Sequence, residues 1–109
     1  AATLALQDSG KPTALVCFND IVALGVQEAI RVFQDAGGHP IALTGFDNTY
    51  ISALSRISLT SIEQEKGAIA VRAAELLTGD PEEWKAAEGK SLLLVPRLII
   101  RDSTRNVRA

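Results

Sequence analysis

Two stretches decide the fold: Lys11-Pro-Thr-Ala-Leu-Val-Cys-Phe-Asn-Asp20 and, after an intervening helix, Ile41-Ala-Leu-Thr-Gly-Phe-Asp-Asn48. In each, a short apolar run ends abruptly on two small polar side chains. Thr13 to Phe18 is nearly all apolar, the pattern of a strand covered on both faces, and predicts a central parallel strand. Asn19 and Asp20 stop it, and Asp20 is placed to cap a helix over Ile21 to Ala36 that Gly37-Gly38 ends. Ile41 to Phe46 then predicts a second strand, stopped by Asp47-Asn48. The unit is βαβ, and its geometry sets Asn19-Asp20 and Asp47-Asn48 at the carboxyl ends of two parallel strands, where open α/β sheets bind ligands.

The helix carries more apolar surface than one sheet needs. Val22, Val26, Ala29, Ile30 and Phe33 form one stripe, with Ile21, Leu24 and Val32 beside it. A band that wide implies a second partner, within the domain or in another subunit. Further along, Tyr50 to Arg56 predicts a short helical turn, Ile57 to Ile62 alternates like a half-exposed strand, and 64 to 78 is helical, with Ile69, Ala73, Leu76 and Leu77 on its apolar face. Glu82 to Lys90 reads as a charged loop in which Trp84 anchors local packing. Leu92 to Val95 and Arg97 to Ile100 are two strand-like runs that Pro96 interrupts.

The chain has 109 residues, a size that buries a useful core, and its 47% apolar content is mostly aliphatic, which suits an α/β class. Eleven basic and thirteen acidic residues leave a net charge of -2 with no basic surface for phosphate, so the stretch is itself a poor DNA binder. The tail carrying Arg97, Arg101, Arg105 and Arg108 reads as solvated chain. Cys17 is the single cysteine and His39 the single histidine, which leaves no internal disulfide and too few ligands for a zinc site; a reducing cytoplasm fits, and no metal or cofactor is expected. No apolar run reaches the roughly 20 residues of a membrane span. Ala1 to Gln7 reads like the last turns of a helix, as if the chain continued something longer.

Catalytic constellations are not legible. There is no Gly-x-Ser-x-Gly, no Gly-Lys-Ser/Thr loop and no Gly-x-Gly-x-x-Gly, and His39 sits between Gly38 and Pro40 in a turn. The short polar side chains at the strand ends are binding chemistry, able to donate to and accept from hydroxyls and amides. Asp47 is the sharpest candidate, because a carboxylate at the end of an apolar strand costs burial unless something pairs with it.

Lys11 to Asp20, Ala23-Leu-Gly25, Ile41 to Asn48, Leu59-Thr-Ser-Ile-Glu-Gln64, Arg72-Ala-Ala-Glu-Leu-Leu77 and Val95-Pro-Arg-Leu-Ile-Ile-Arg-Asp-Ser103 together resemble the LacI family of transcriptional repressors, and they cover almost the whole chain. The resemblance implies the carboxyl-terminal portion of a type I periplasmic-binding-protein-like fold, a parallel sheet flanked by helices. In it, 1–62 would form the core of the effector-binding subdomain. Residues 63–90 would cross over to pack on a first subdomain outside this chain, and 91–109 would return. It implies no enzyme but a cytoplasmic sensor of a small effector, a sugar or related metabolite, that touches operator DNA only through a separate helix-turn-helix head. Family ligand positions match Asn19, Asp47 and Gln64, with Asp20 and Asn48 beside them. A homodimer interface is implied at Ile21, Leu24, Glu28, Leu54 and Ser55. The loop Gly37-Gly-His-Pro40 is shorter than usual in the family, and Glu65 stands where a Pro often follows the crossover Gln, changes that bear on packing more than on the pocket. A solute-binding protein of an ABC transporter, with the same fold and no dimer stripe, is the alternative.

Overall fold

The computed structural model describes residues 2–7, 10–80, 82, 85–86, 88–89 and 91–105. In chain order these form α1 (Ala2–Leu6), β1 (Ala14–Val16), α2 (Asp20–Asp35), β2 (Ala42–Thr44), a 3-10 turn (Tyr50–Ala53), β3 (Ser61–Glu63), α3 (Lys66–Thr78), β4 (Arg97–Ile99) and α4 (Asp102–Arg105). They fall into two compact units, Ala1–Glu63 with Leu98–Ala109, and Gln64–Arg97.

In the first unit β1 and β2 are parallel, with Leu15 opposite Leu43 and Val16 opposite Thr44. The Cys17 N–H donates to the Thr44 carbonyl at 2.9 Å, which carries the pairing past the end of β1. On its other side β2 meets the run leading into β3 through a parallel bridge of Thr44 with Thr60 and the bond from Gly45 N–H to Thr60 O. β3 then pairs with β4. The alternation predicted from Ile57 thus ends in a strand, while the run Leu92 to Val95 forms none: residues 91–96 belong to no helix or strand, and Pro96 supplies no N–H to a ladder.

β1 departs from the central strand expected of it. Among the described residues it pairs with β2 alone, and its side chains alternate: Leu15 and Cys17 turn to the core, whereas Val16 and Phe18 are 85% and 86% exposed. An apolar run can be buried on both faces only where layers cover both, and here α2 covers one.

The core gathers Leu6, Cys17, Ala23, Ile30, Ile41, Leu43 and Leu59, with Val26, Ala29 and Phe33 of α2 packed against it. The predicted inner stripe of α2 is thus the packed one, except that Val22 lies exposed and Ala23 takes a core place. Gly37, at φ 88, ends the helix from the left-handed region. At Gly38 an added Cβ would stand 2.3 Å from the Phe33 ring, so any larger residue there would have to displace that ring. His39 meets that ring edge-on at 5.4 Å and donates from Nε2 to the Pro12 carbonyl at 2.9 Å, pinning the starts of β1 and β2 together.

α4 closes the first unit. Ser103 Oγ donates to Leu43 O at 2.7 Å and accepts from Thr60 N–H at 2.8 Å, stitching β2 to the approach of β3. In the second unit α3 buries no residue, and Ile69, Val71 and Leu77 are exposed. Its first turn lacks a side-chain cap; Glu65 holds the cap position at φ 58 and forms an ion pair with Arg97. Trp84 and Arg108 lie outside the described residues.

Candidate functional site

The polar pairs that end β1 and β2 are drawn together by the backbone: Asp20 N–H donates to Phe46 O at 2.9 Å. Within the first pair the roles differ from expectation. Asn19 is the cap, its Oδ1 accepting from Val22 N–H at 2.8 Å, and Asp20 is the first residue inside the helix. The reason is register: a side-chain oxygen one residue before the helix reaches the donors of its first turn. Asn19 remains half-buried, while Asp20 is 1% exposed.

Asp20 is an internal hub. Its Oδ1 accepts from Ser61 Oγ at 2.5 Å, and its Oδ2 accepts from Thr49 N–H at 2.7 Å and Thr49 Oγ1 at 2.9 Å. Three donors thus converge on this one carboxylate at the amino-terminal end of α2. This carboxylate is therefore committed within the chain, which leaves little of it for a ligand. Gly45 follows from the same crowding: a Cβ there would stand 2.4 Å from Asp20 Oδ1 and 2.9 Å from Leu59 Cδ2.

The second pair forms a left-handed turn, Asp47 at φ 96 and Asn48 at φ 43. Asn and Asp tolerate that region better than other side chains, so the sequence Gly45-Phe-Asp-Asn48 suits the bend. Asp47 N–H donates to Ile62 O at 3.0 Å, and its side chain is half-buried at the strand end. Asn48 Nδ2 donates to Glu63 Oε2 at 2.9 Å, and Asn48 Oδ1 accepts from Arg101 Nη2 at 2.6 Å. Its backbone N–H donates to Ser61 Oγ at 3.0 Å. Gln64, half-buried, opens the second unit.

The network also holds residues the sequence reading missed: Thr49, Ser52, Ser61, Arg101 and Ser103. Arg101 corrects the view of the tail as solvated chain. It is half-buried and donates from Nη1 to Leu59 O at 2.6 Å and Ser52 Oγ at 3.1 Å. The available signal was Arg101-Asp-Ser103 set directly after an apolar strand.

On α2, Ile21 is 58% exposed and Leu24 half-buried; after the 3-10 turn, Leu54 and Ser55 are exposed. Glu28 is exposed and pairs with Arg31 at 2.6 Å, whose guanidinium holds the carboxyl below the usual carboxylate range. Beside them runs a groove of about 400 Å³ lined by apolar Leu24, Ile30 and Leu43 together with polar Gln27, Glu28 and Arg56. Among the described residues no cluster of His, Cys, Asp and Glu is arranged to hold a metal ion, and no helix is long and apolar enough to cross a membrane.

A profile of the periplasmic-binding-protein-like domain matches residues 1–104. The chain is 30% identical over 105 residues to the arabinose metabolism transcriptional repressor of Halalkalibacterium halodurans, an alignment that takes in 93% of this chain and 28% of that protein. To the HTH-type transcriptional repressor PurR of Aliivibrio fischeri it is 34% identical over 108 residues, 94% of this chain and 30% of the relative. It therefore spans less than a third of the length of these relatives. Among solved structures, a LacI family transcriptional regulator from Arthrobacter sp. FB24 in complex with lactose superposes with a TM-score of 0.75 at 25% identity, over 96% of this chain and 39% of that one.

Proposed function

Because this chain belongs to the periplasmic-binding-protein-like domain family, in the form carried by LacI-family regulators, we propose that it is the ligand-sensing and dimerisation part of a LacI-type transcriptional repressor. It binds a small effector, a sugar or related metabolite, at the strand ends, with Asn19, Asp47 and Gln64 as its ligand contacts. The proposed interface of a homodimer is the outer stripe of α2, Ile21, Leu24 and Glu28, with Leu54 and Ser55. The exposed apolar face of α3 is the surface that packs on a first effector subdomain. Operator DNA is read by a separate head, in the cytoplasm, and effector binding shifts the equilibrium between gripping and releasing it.

The observation that carries this reading is the left-handed Asp47-Asn48 turn. Asp20, Asn48 and Arg101 help to build it, and Asp47 stands in it half-buried at the carboxyl end of a parallel strand. That is where α/β sheets take ligands, and a carboxylate suits a pair of sugar hydroxyls. The names of the relatives, one an arabinose-metabolism repressor and one structure holding lactose, support the sugar class.

Calorimetric titration of the intact protein with pentoses, hexoses and purine bases, beside Asp47→Ala, tests it. At least one of these is expected to bind, and Asp47→Ala to weaken it by about tenfold or more, about 1.4 kcal/mol. An affinity unchanged in Asp47→Ala, or no binding across the panel, would overturn the assignment.

A further inference from the structure

Asn48 joins three parts of the chain that lie far apart in sequence. Its Nδ2 donates to Glu63 and its Oδ1 accepts from Arg101. Chemistry fixes that orientation, since a guanidinium only donates and a carboxylate only accepts, and the reversed amide would lose both bonds. Glu63 is the last residue before the chain enters the second unit, and Arg101 follows shortly after Leu98, where the chain re-enters the first. Arg101 is itself fastened on several sides, by its backbone N–H to Thr60 Oγ1 at 2.8 Å and by its guanidinium to Leu59 O and Ser52 Oγ. Asn48, bonded to both Glu63 and Arg101, is the immediate neighbour of Asp47, and its backbone shares the Asp47 turn.

We propose that Asn48 is a positioning residue that couples the Asp47 turn to both segments by which the chain leaves and re-enters the first unit, so that a ligand held at Asp47 and the setting of those segments bias each other. Coupling of this kind is reciprocal: whatever holds the crossing segments in one arrangement favours one arrangement of the turn, and the converse. The ligand clause rests on the effector reading above; the coupling itself does not.

Amide hydrogen exchange by NMR on the full chain tests the coupling without any effector, so its failure and a failure of Asp47 to bind sugar are read separately. Asn48→Gly keeps a residue at ease with positive φ and removes the side-chain amide. The expected result is that two amides exchange faster by about tenfold, the increment of a lost charge-assisted hydrogen bond: Asp47 N–H, bonded to Ile62 O, and the distant Arg101 N–H, bonded to Thr60 Oγ1. Ala42 and Cys17, in the β1–β2 pairing, keep their rates. A change at Asp47 with none at Arg101 would mean that Asn48 merely shapes its own turn, and would overturn the proposal.

A swap provides the second arm. Asn48→Asp alone keeps an acceptor for Arg101 but sets a carboxylate against Glu63, and speeds exchange at both amides. Adding Glu63→Gln supplies a donor to the new carboxylate and returns the Arg101 rate to within about twofold of wild type, the sign of a direct pairwise interaction. A double variant no slower in exchange than Asn48→Asp alone overturns the proposal, and this arm stands even if Asn48→Gly does not fold.

Discussion

The carboxylate of Asp20 and the hydroxyl of Ser61 meet at 2.5 Å, joining the first turn of α2 to the start of β3 at a point where Asp20 keeps 1% of its surface exposed. Both residues are tied in turn to the segment after β2, Asp20 through Thr49 and Ser61 through Asn48 N–H. Three chain segments therefore share one buried carboxyl group. Removing the acceptor strands its donors, so Asp20→Ala is expected to lower stability by about 2–4 kcal/mol in urea unfolding. A loss below about 1 kcal/mol would show that the donors find water instead.

Gly45 depends on the same carboxylate. A methyl group there would press on Asp20 Oδ1 at 2.4 Å and on Asp20 Cα at 3.2 Å, and the second of these is backbone that cannot swing aside. Gly45→Ala is expected to cost about 1–3 kcal/mol, read as a drop in thermal midpoint. Gly25, where an added Cβ meets nothing within 4 Å, is the control: Gly25→Ala in the middle of α2 should stabilise by about 0.5–1 kcal/mol.

Much of this was legible in the sequence, for a physical reason. Strand and helix periods depend on local apolar order: the strands at 14–16 and 42–44 fall inside the segments Thr13-to-Phe18 and Ile41-to-Phe46, and the helix at 20–35 runs one residue ahead of the predicted Ile21-to-Ala36. Hydrogen-bond partners over long sequence separations have no local signature. That Asn19 rather than Asp20 caps α2 depends on a single-residue register, and that Arg101 returns to Asn48 depends on the path of a chain that leaves and comes back. The left-handed turn at Asp47-Asn48 was anticipated as a turn, but its dependence on Arg101 was not. The run Leu92 to Val95 misled because apolar composition alone cannot tell a strand from an extended segment beside a proline.

The outer stripe of α2 yields a prediction about assembly. Ile21→Asp changes a residue already 58% exposed, so the fold should tolerate it. At a dimer interface the same change buries an unpaired carboxylate in each copy and costs about 3–5 kcal/mol. Light scattering on the intact protein is expected to show a dimer that Ile21→Asp and Leu24→Asp each split. A mass unaffected by both would remove α2 from the interface.

Burial pushes the Cys17 thiol above its ordinary range. The folded protein then holds its proton where the unfolded chain releases it, so the stability contributed is complete below the ordinary thiol value of about 8.5 and declines as pH rises past it. The native protein at pH 7.5 is expected to react with iodoacetamide at least about tenfold more slowly than a urea-unfolded sample, since only thiolate attacks. Equal rates would place Cys17 in reach of solvent.

The outer edge of β1 carries a further consequence, a colloidal one. Among the described residues nothing pairs with that edge, and Val16 and Phe18 stand beside it with no charged side chain between them. Charges and prolines are what ordinarily keep such edges from adding strands of neighbouring molecules, and here Lys11 and Pro12 guard only the approach. Concentrated solutions of this chain are expected to show a rising mass by light scattering, and Val16→Lys to suppress it; a mass independent of concentration would show that this edge does not recruit strands.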